Sequence, residues 1–148
     1  MKECMSERSY SEYLIKDYTY WTLYLHENQC YIGRTYLVAK IDGKNKDFMD
    51  MDSDEIKEFF MIGRQLKKAL HKLFIPDKMN YASLGNIFEH LHIHFIPRYK
   101  SQRTFLGEEF IDKQWGKNYA PYDLEFKVGA NITNEIKRAI EQSINEMT

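Results

Sequence analysis

The sequence predicts an α+β fold built on an antiparallel sheet. Short runs rich in β-branched and aromatic residues occur in adjacent pairs, and one long stretch of helical period separates the pairs. The first pair, residues 21–25 and 35–41, flanks a polar break holding Gly33 and reads as a hairpin. Between residues 52 and 74 the period changes, and Ile56, Phe59, Phe60, Leu66, Leu70 and Leu73 recur along one helical side. Asp52 and Glu55 have the spacing of a capping box, Met51 is placed to staple against Ile56, and Pro76 marks the stop. Residues 80–84 and 90–97 form a second strand pair around a break at Gly85 and Asn86. Beyond Arg98 the aromatic residues Phe105, Phe110, Trp115, Tyr119 and Tyr122 follow no period, so irregular chain is expected there. Ile136, Ile140 and Ile144 then support a final helix over residues 133–146.

The 148 residues, 43% of them hydrophobic, suit one domain with one core, and no linker or repeat divides them. A net charge of -1 lacks the basic surplus that wrapping a nucleic-acid backbone demands, whereas a small phosphate ligand needs only a local field. Charges interrupt the N-terminus, so it does not read as a signal peptide, and no apolar run is long enough to span a membrane. A cytoplasmic protein is expected, with Cys4 and Cys30 as two reduced thiols.

His90, His92 and His94 alternate with Leu91 and Ile93. In a strand, alternate side chains share a face about 6.6 to 7 Å apart, so the three imidazoles form a row while Leu91, Ile93 and Phe95 enter the core. Repulsion between neighbouring imidazolium groups keeps at least one ring neutral near pH 7, free to attack phosphorus or bind a metal. Spacing alone fits these two chemistries equally.

The segment His90-Leu91-His92-Ile93-His94-Phe95-Ile96, followed by Pro97-Arg98, resembles the signature of the histidine-triad (HIT) family, and the likeness runs upstream to about Trp21. Within that family it resembles the fragile-histidine and diadenosine polyphosphate hydrolase branch. The resemblance implies one HIT-like domain, its core about residues 18–100 and residues 101–148 an extension, with a sheet of about five strands and a homodimeric state. It also implies cleavage of nucleoside phosphates with neither a cofactor nor a required metal. His92 would attack the α-phosphorus and be nucleotidylated, His94 would contact phosphate oxygens, and His90 would orient the site. Asn86 would add a donor to the phosphate.

The chain departs from the family pattern in several places. Gly85-Asn86-Ile87 stands where Gly-Gln and a small hydroxyl residue are common, so Ile87 brings no hydroxyl to the leaving group. Arg34 replaces a histidine often found after the hairpin glycine, and can hold a phosphate or a carboxylate or cap the turn. His26 replaces a ribose-contacting Asn and reads either as a sugar contact or as a surface strand-end residue. Arg98, with Lys100 and Arg103, is a basic cluster that either attracts phosphate or ends the strand in solvent. Trp115, Tyr119 and Tyr122 either cover a base or anchor their loop, and His71 is expected to be exposed on the helix.

The leading functional expectation is a hydrolase or transferase releasing a nucleoside monophosphate from a phosphoramidate or a dinucleoside polyphosphate. The alternatives are a nucleotide-binding regulatory module with little turnover and a histidine-ligated metalloprotein.

Overall fold

The computed structural model describes residues 11–40 and 46–147. Five strands form one antiparallel sheet: β1 (Leu14–Asp17), β2 (Trp21–Leu25), β3 (Thr35–Ala39), β4 (Lys78–Ala82) and β5 (His92–Arg98), in the spatial order β1-β2-β3-β5-β4. A 3-10 turn, Phe48–Asp50, precedes α1 (Ser53–Phe74). A separate hairpin, β6 (Arg103–Phe105) and β7 (Glu108–Phe110), follows the sheet, and α2 (Ala130–Asn145) ends the chain.

The two central hairpin strands, β2 and β3, each have one dry and one wetter face. Trp21, Leu23 and Leu25 alternate with Thr22 and Tyr24 on β2, while Thr35, Leu37 and Ala39 alternate with Tyr36 and Val38 on β3. The dry face meets Phe59, Ile62, Leu66 and Leu70 of α1 and Ile136, Ile140 and Ile144 of α2 in one core. The reading of α1 holds at its start: Asp52 accepts the Glu55 N–H and the Glu55 carboxylate accepts the Asp52 N–H. It fails for Ile56 and Phe60, which remain exposed. Glu58, which accepts the N–H groups of Tyr20 and Trp21, lies on the flank of α1 beside β2, so Ile56 and Phe60 fall on the opposite flank, toward the β4 end of the sheet. Phe59 and the Arg64 guanidinium pack against Phe60 there, and both Ile56 and Phe60 stay exposed.

Other boundaries shift for local reasons. Leu14–Asp17 was not expected as a strand, because only Ile15 of its four residues is buried and no clear alternation results. Ile41 lies outside the described residues, as does Cys4. Strand β4 begins and ends two residues earlier than expected, and β5 begins at His92, leaving His90 in the preceding bend. The stretch after Arg98 is not wholly irregular: β6 and β7 pair across Leu106 and Gly107, both at positive φ, a turn whose twist suits a tight hairpin.

Gly33 is required twice over. Its φ is +91°, and a Cβ there would lie 2.8 Å from Leu70 Cδ2 of α1. The loop before β3 therefore rests directly on the helix. Gln29, buried beneath the same loop, donates to the carbonyls of His26 and Arg34 and accepts the Gly33 N–H, which sets both flanking residues in place.

Candidate functional site

The wetter sheet face is a grid fixed by strand register. Val38 pairs with His92, Tyr36 with His94 and with Tyr24, and the His26 N–H donates to the Arg34 carbonyl one row further on. His92, His94, Tyr36, Tyr24, His26 and Arg34 thus share one surface although they come from three strands. Ring centroids lie 4.9 Å apart for His92 and His94, 5.7 Å for Tyr36 and His94, and 5.8 Å for His26 and His94. Leu91, Ile93 and Phe95 are buried on the other side.

His90 joins the row differently from a strand residue. Its Nε2 donates to the Ala39 carbonyl at the end of β3, while its own carbonyl accepts from His92 Nδ1 at 2.8 Å. A carbonyl can only accept, so the His92 proton sits on Nδ1 and the Nε2 lone pair is left bare. Phe88 lies against both His90 and His92, with centroid distances of 5.8 and 5.0 Å. The preceding loop holds Asn86 and Ile87, both exposed, and the Asn86 amide makes no hydrogen bond with a described residue.

The electrostatics favour neutral rings. Burial lowers the His92 pKa from its usual value; the hydrogen bond to the His90 carbonyl opposes that shift, and the charge of the His90 ring adds to it. Burial and then Arg34 push His94 down to about 3, and the same two causes hold His26 well below the ordinary histidine range. The fixed positive charge in this part of the site is therefore Arg34, which is buried beneath Tyr122 at 4.4 Å and Tyr119 at 5.5 Å from the ring centroids. Among the described residues no group of three His, Cys, Asp or Glu side chains is arranged to hold a metal ion.

The expected site residues fare unequally. His92 and His94 meet with His26, which is packed among His94, Tyr36 and Tyr122 and is not a surface strand-end residue. Arg34 does not cap the turn with its side chain but reaches into the cluster. Arg98 is turned away from phosphate binding: its five N–H groups bond to both oxygens of Asp112, to Asn80 Oδ1 and to the carbonyls of Lys117 and Gln114. The ion pair is fully enclosed and clamps the C-terminal segment to β5. Tyr24 and Tyr36, a stacked pair 5.5 Å apart, were missed as site residues, although their alternation with the buried positions of β2 and β3 marks their face. Cys30 is a buried thiol, its pKa pushed up to about 11 by burial.

The HIT domain family matches residues 24–101, more than half of the chain. This protein belongs to the HIT family. Solved structures agree in fold: a histidine triad protein from Bradyrhizobium japonicum has a TM-score of 0.73 at 19% identity, covering 95% of this chain and 96% of that one. A histidine triad protein from Sinorhizobium meliloti gives 0.75 at 15% identity, with 97% and 94% covered. The diadenosine triphosphate hydrolase of Plasmodium falciparum gives 0.60 at 17% identity, with 91% and 78% covered. No curated protein matches the HIT chain.

The lowered histidine pKa values carry a stability consequence. Histidines of the unfolded chain take up protons near pH 6.5, while the folded His92, His94 and His26 resist them, so the unfolded state binds more protons as pH falls and stability drops. Each such histidine contributes a slope of up to about 1.4 kcal/mol per pH unit below about pH 6.5, persisting for His94 until its folded pKa of about 3. Urea denaturation between pH 7.5 and 5 is expected to show this decline, with a shallower slope in His94→Asn. A profile that is flat, or rises on acidification, contradicts the buried neutral row.

Proposed function

We propose that this HIT protein cleaves nucleotides at the α-phosphorus through a nucleotidyl-His92 intermediate and releases a nucleoside monophosphate. The observation that carries this reading is the His92 ring, with Nδ1–H tied to the His90 carbonyl and Nε2 bare. In the first step Nε2 forms a bond to phosphorus, the bond from phosphorus to the leaving group breaks, and the leaving group takes a proton from solvent. In the second, water attacks phosphorus and gives up a proton to solvent, the N–P bond breaks with its electron pair returning to Nε2, and His92 is again the neutral Nδ1–H ring. Substrates of this description are nucleoside phosphoramidates and dinucleoside polyphosphates, and the similarity in fold to the Plasmodium diadenosine triphosphate hydrolase favours the second class.

His94 supports the transfer as a close polar neighbour of the phosphoryl group, and Asn86 is the amide donor on the adjacent loop. Tyr24 and Tyr36 offer an aromatic floor along the same face for a base or sugar. Ile87 brings no hydroxyl to protonate the leaving group, so good leaving groups are favoured over alkoxides of high pKa. No cofactor enters these steps.

We also propose that two copies of the chain pair through β4. Strand β4 ends the sheet, and Tyr81 is exposed on it while packing on Phe95 beneath α1. Ile56 and Phe60 of α1 continue that apolar margin, so a second copy seated there covers an edge strand and three large side chains together.

Two measurements test these readings. Release of nucleoside monophosphate from an adenosine phosphoramidate, followed chromatographically, is expected to fall by about three orders of magnitude or more in His92→Ala, as when a covalent nucleophile is removed. Undiminished turnover in that variant refutes the assignment. Sedimentation is expected to show a dimer that Tyr81→Glu converts to monomer, and a monomeric wild type contradicts the pairing.

A further inference from the structure

Arg34 is 3% exposed, and its Nε and Nη1 atoms are buried without a hydrogen-bond acceptor among the described residues. No carboxylate forms an ion pair with it there. Asp123, next to Tyr122 in the covering segment, is engaged by Lys113 instead. The faces of Tyr122 and Tyr119 offset part of its charge but accept none of these N–H bonds, and a buried guanidinium with unpaired donors is costly, so its donors point to an anionic ligand group. Arg98 makes the contrast: equally buried, it spends every N–H on protein acceptors.

A second donor stands beside Arg34. His26 Nδ1 accepts the Asn28 N–H, so the proton of the neutral ring lies on Nε2. His94 Nδ1 is also buried without a partner. Arg34 begins four residues along the chain from Val38, the partner of His92, a backbone separation of about 13 Å in extended chain. Its charge acts on His94 and His26, whereas His92 is influenced by His90. The anion held by Arg34 is thus offset from the phosphoryl group in reach of His92.

We propose that Arg34 and His26, roofed by Tyr122, form a second oxyanion subsite that binds a phosphate group carried by the substrate in addition to the phosphoryl group attacked by His92. The inference rests on the nucleotide reading above and assigns its substrate class: a nucleotide bearing at least two phosphates, one of which stays on Arg34 while the other is transferred.

Calorimetric titration of the full chain with adenosine 5′-monophosphate, adenosine 5′-diphosphate and adenosine 3′,5′-bisphosphate tests it and reveals which position the second phosphate occupies. At least one diphosphorylated nucleotide is expected to bind the wild type about tenfold or more tighter than the monophosphate, the size of one or two charge-assisted hydrogen bonds. Arg34→Met, which keeps the stem under the tyrosines and removes the charge, is expected to erase that advantage while monophosphate affinity changes by no more than about threefold. No advantage in the wild type, or equal weakening of mono- and diphosphorylated ligands in the variant, overturns the subsite.

Inorganic pyrophosphate separates this proposal from the nucleotide reading. If no nucleotide binds, that reading fails, yet pyrophosphate is still expected to shift the His26 imidazole resonances of the wild-type protein. Absence of that shift overturns the subsite without reliance on a variant that fails to fold.

Discussion

One hydrogen bond, from His92 Nδ1 to the carbonyl two residues earlier, organises the histidine cluster and the chemistry proposed for it. It determines which nitrogen of the central histidine carries the proton and therefore which one keeps its lone pair. The bond depends on His90 standing just outside β5, where its backbone is free to turn its carbonyl toward the next ring. His90 is held in that position by its own bond to Ala39, and the Ala39 N–H in turn donates to Leu91. The end of β3 thus supports the beginning of β5, and the tautomer of His92 is set by strand pairing.

The C-terminal segment completes the site from above. Arg98 and Asp112 lock it to β5, the Tyr31 hydroxyl donates to the Tyr119 carbonyl at 2.5 Å, and Tyr122 comes down over Arg34 and beside His26. Two arginines in similar burial hold opposite roles because their surroundings differ. Arg98 meets a carboxylate and three further acceptors and acts as a brace. Arg34 meets aromatic faces and neutral imidazoles, and its charge adds to burial in keeping His94 and His26 unprotonated.

Local periodicity made much of this legible in the sequence. The alternation of Leu91, Ile93 and Phe95 with the histidines, the capping box at Asp52 and the isoleucine stripe of α2 each express one rule within a few residues. Tyr24 and Tyr36 obeyed the same alternation and were readable in principle. What escaped depends on distant partners or on geometry without a local signal. Nothing near Arg98 announces that Asp112, 14 residues on, will neutralise it. Nothing near Arg34 announces that Tyr119 and Tyr122 will cover it. Exposure of Ile56 and Phe60 follows from where the sheet stops, and β1 buries too little to mark itself.

The proposed chemistry depends most directly on the protonation of one ring. Nitrogen-15 NMR of the histidine-labelled protein at pH 7, with His92 assigned by comparison with His92→Ala, measures it. The expected result is a neutral ring protonated at Nδ1 with Nε2 bare. A ring protonated at Nε2 alone, or a fully protonated imidazolium, contradicts the account.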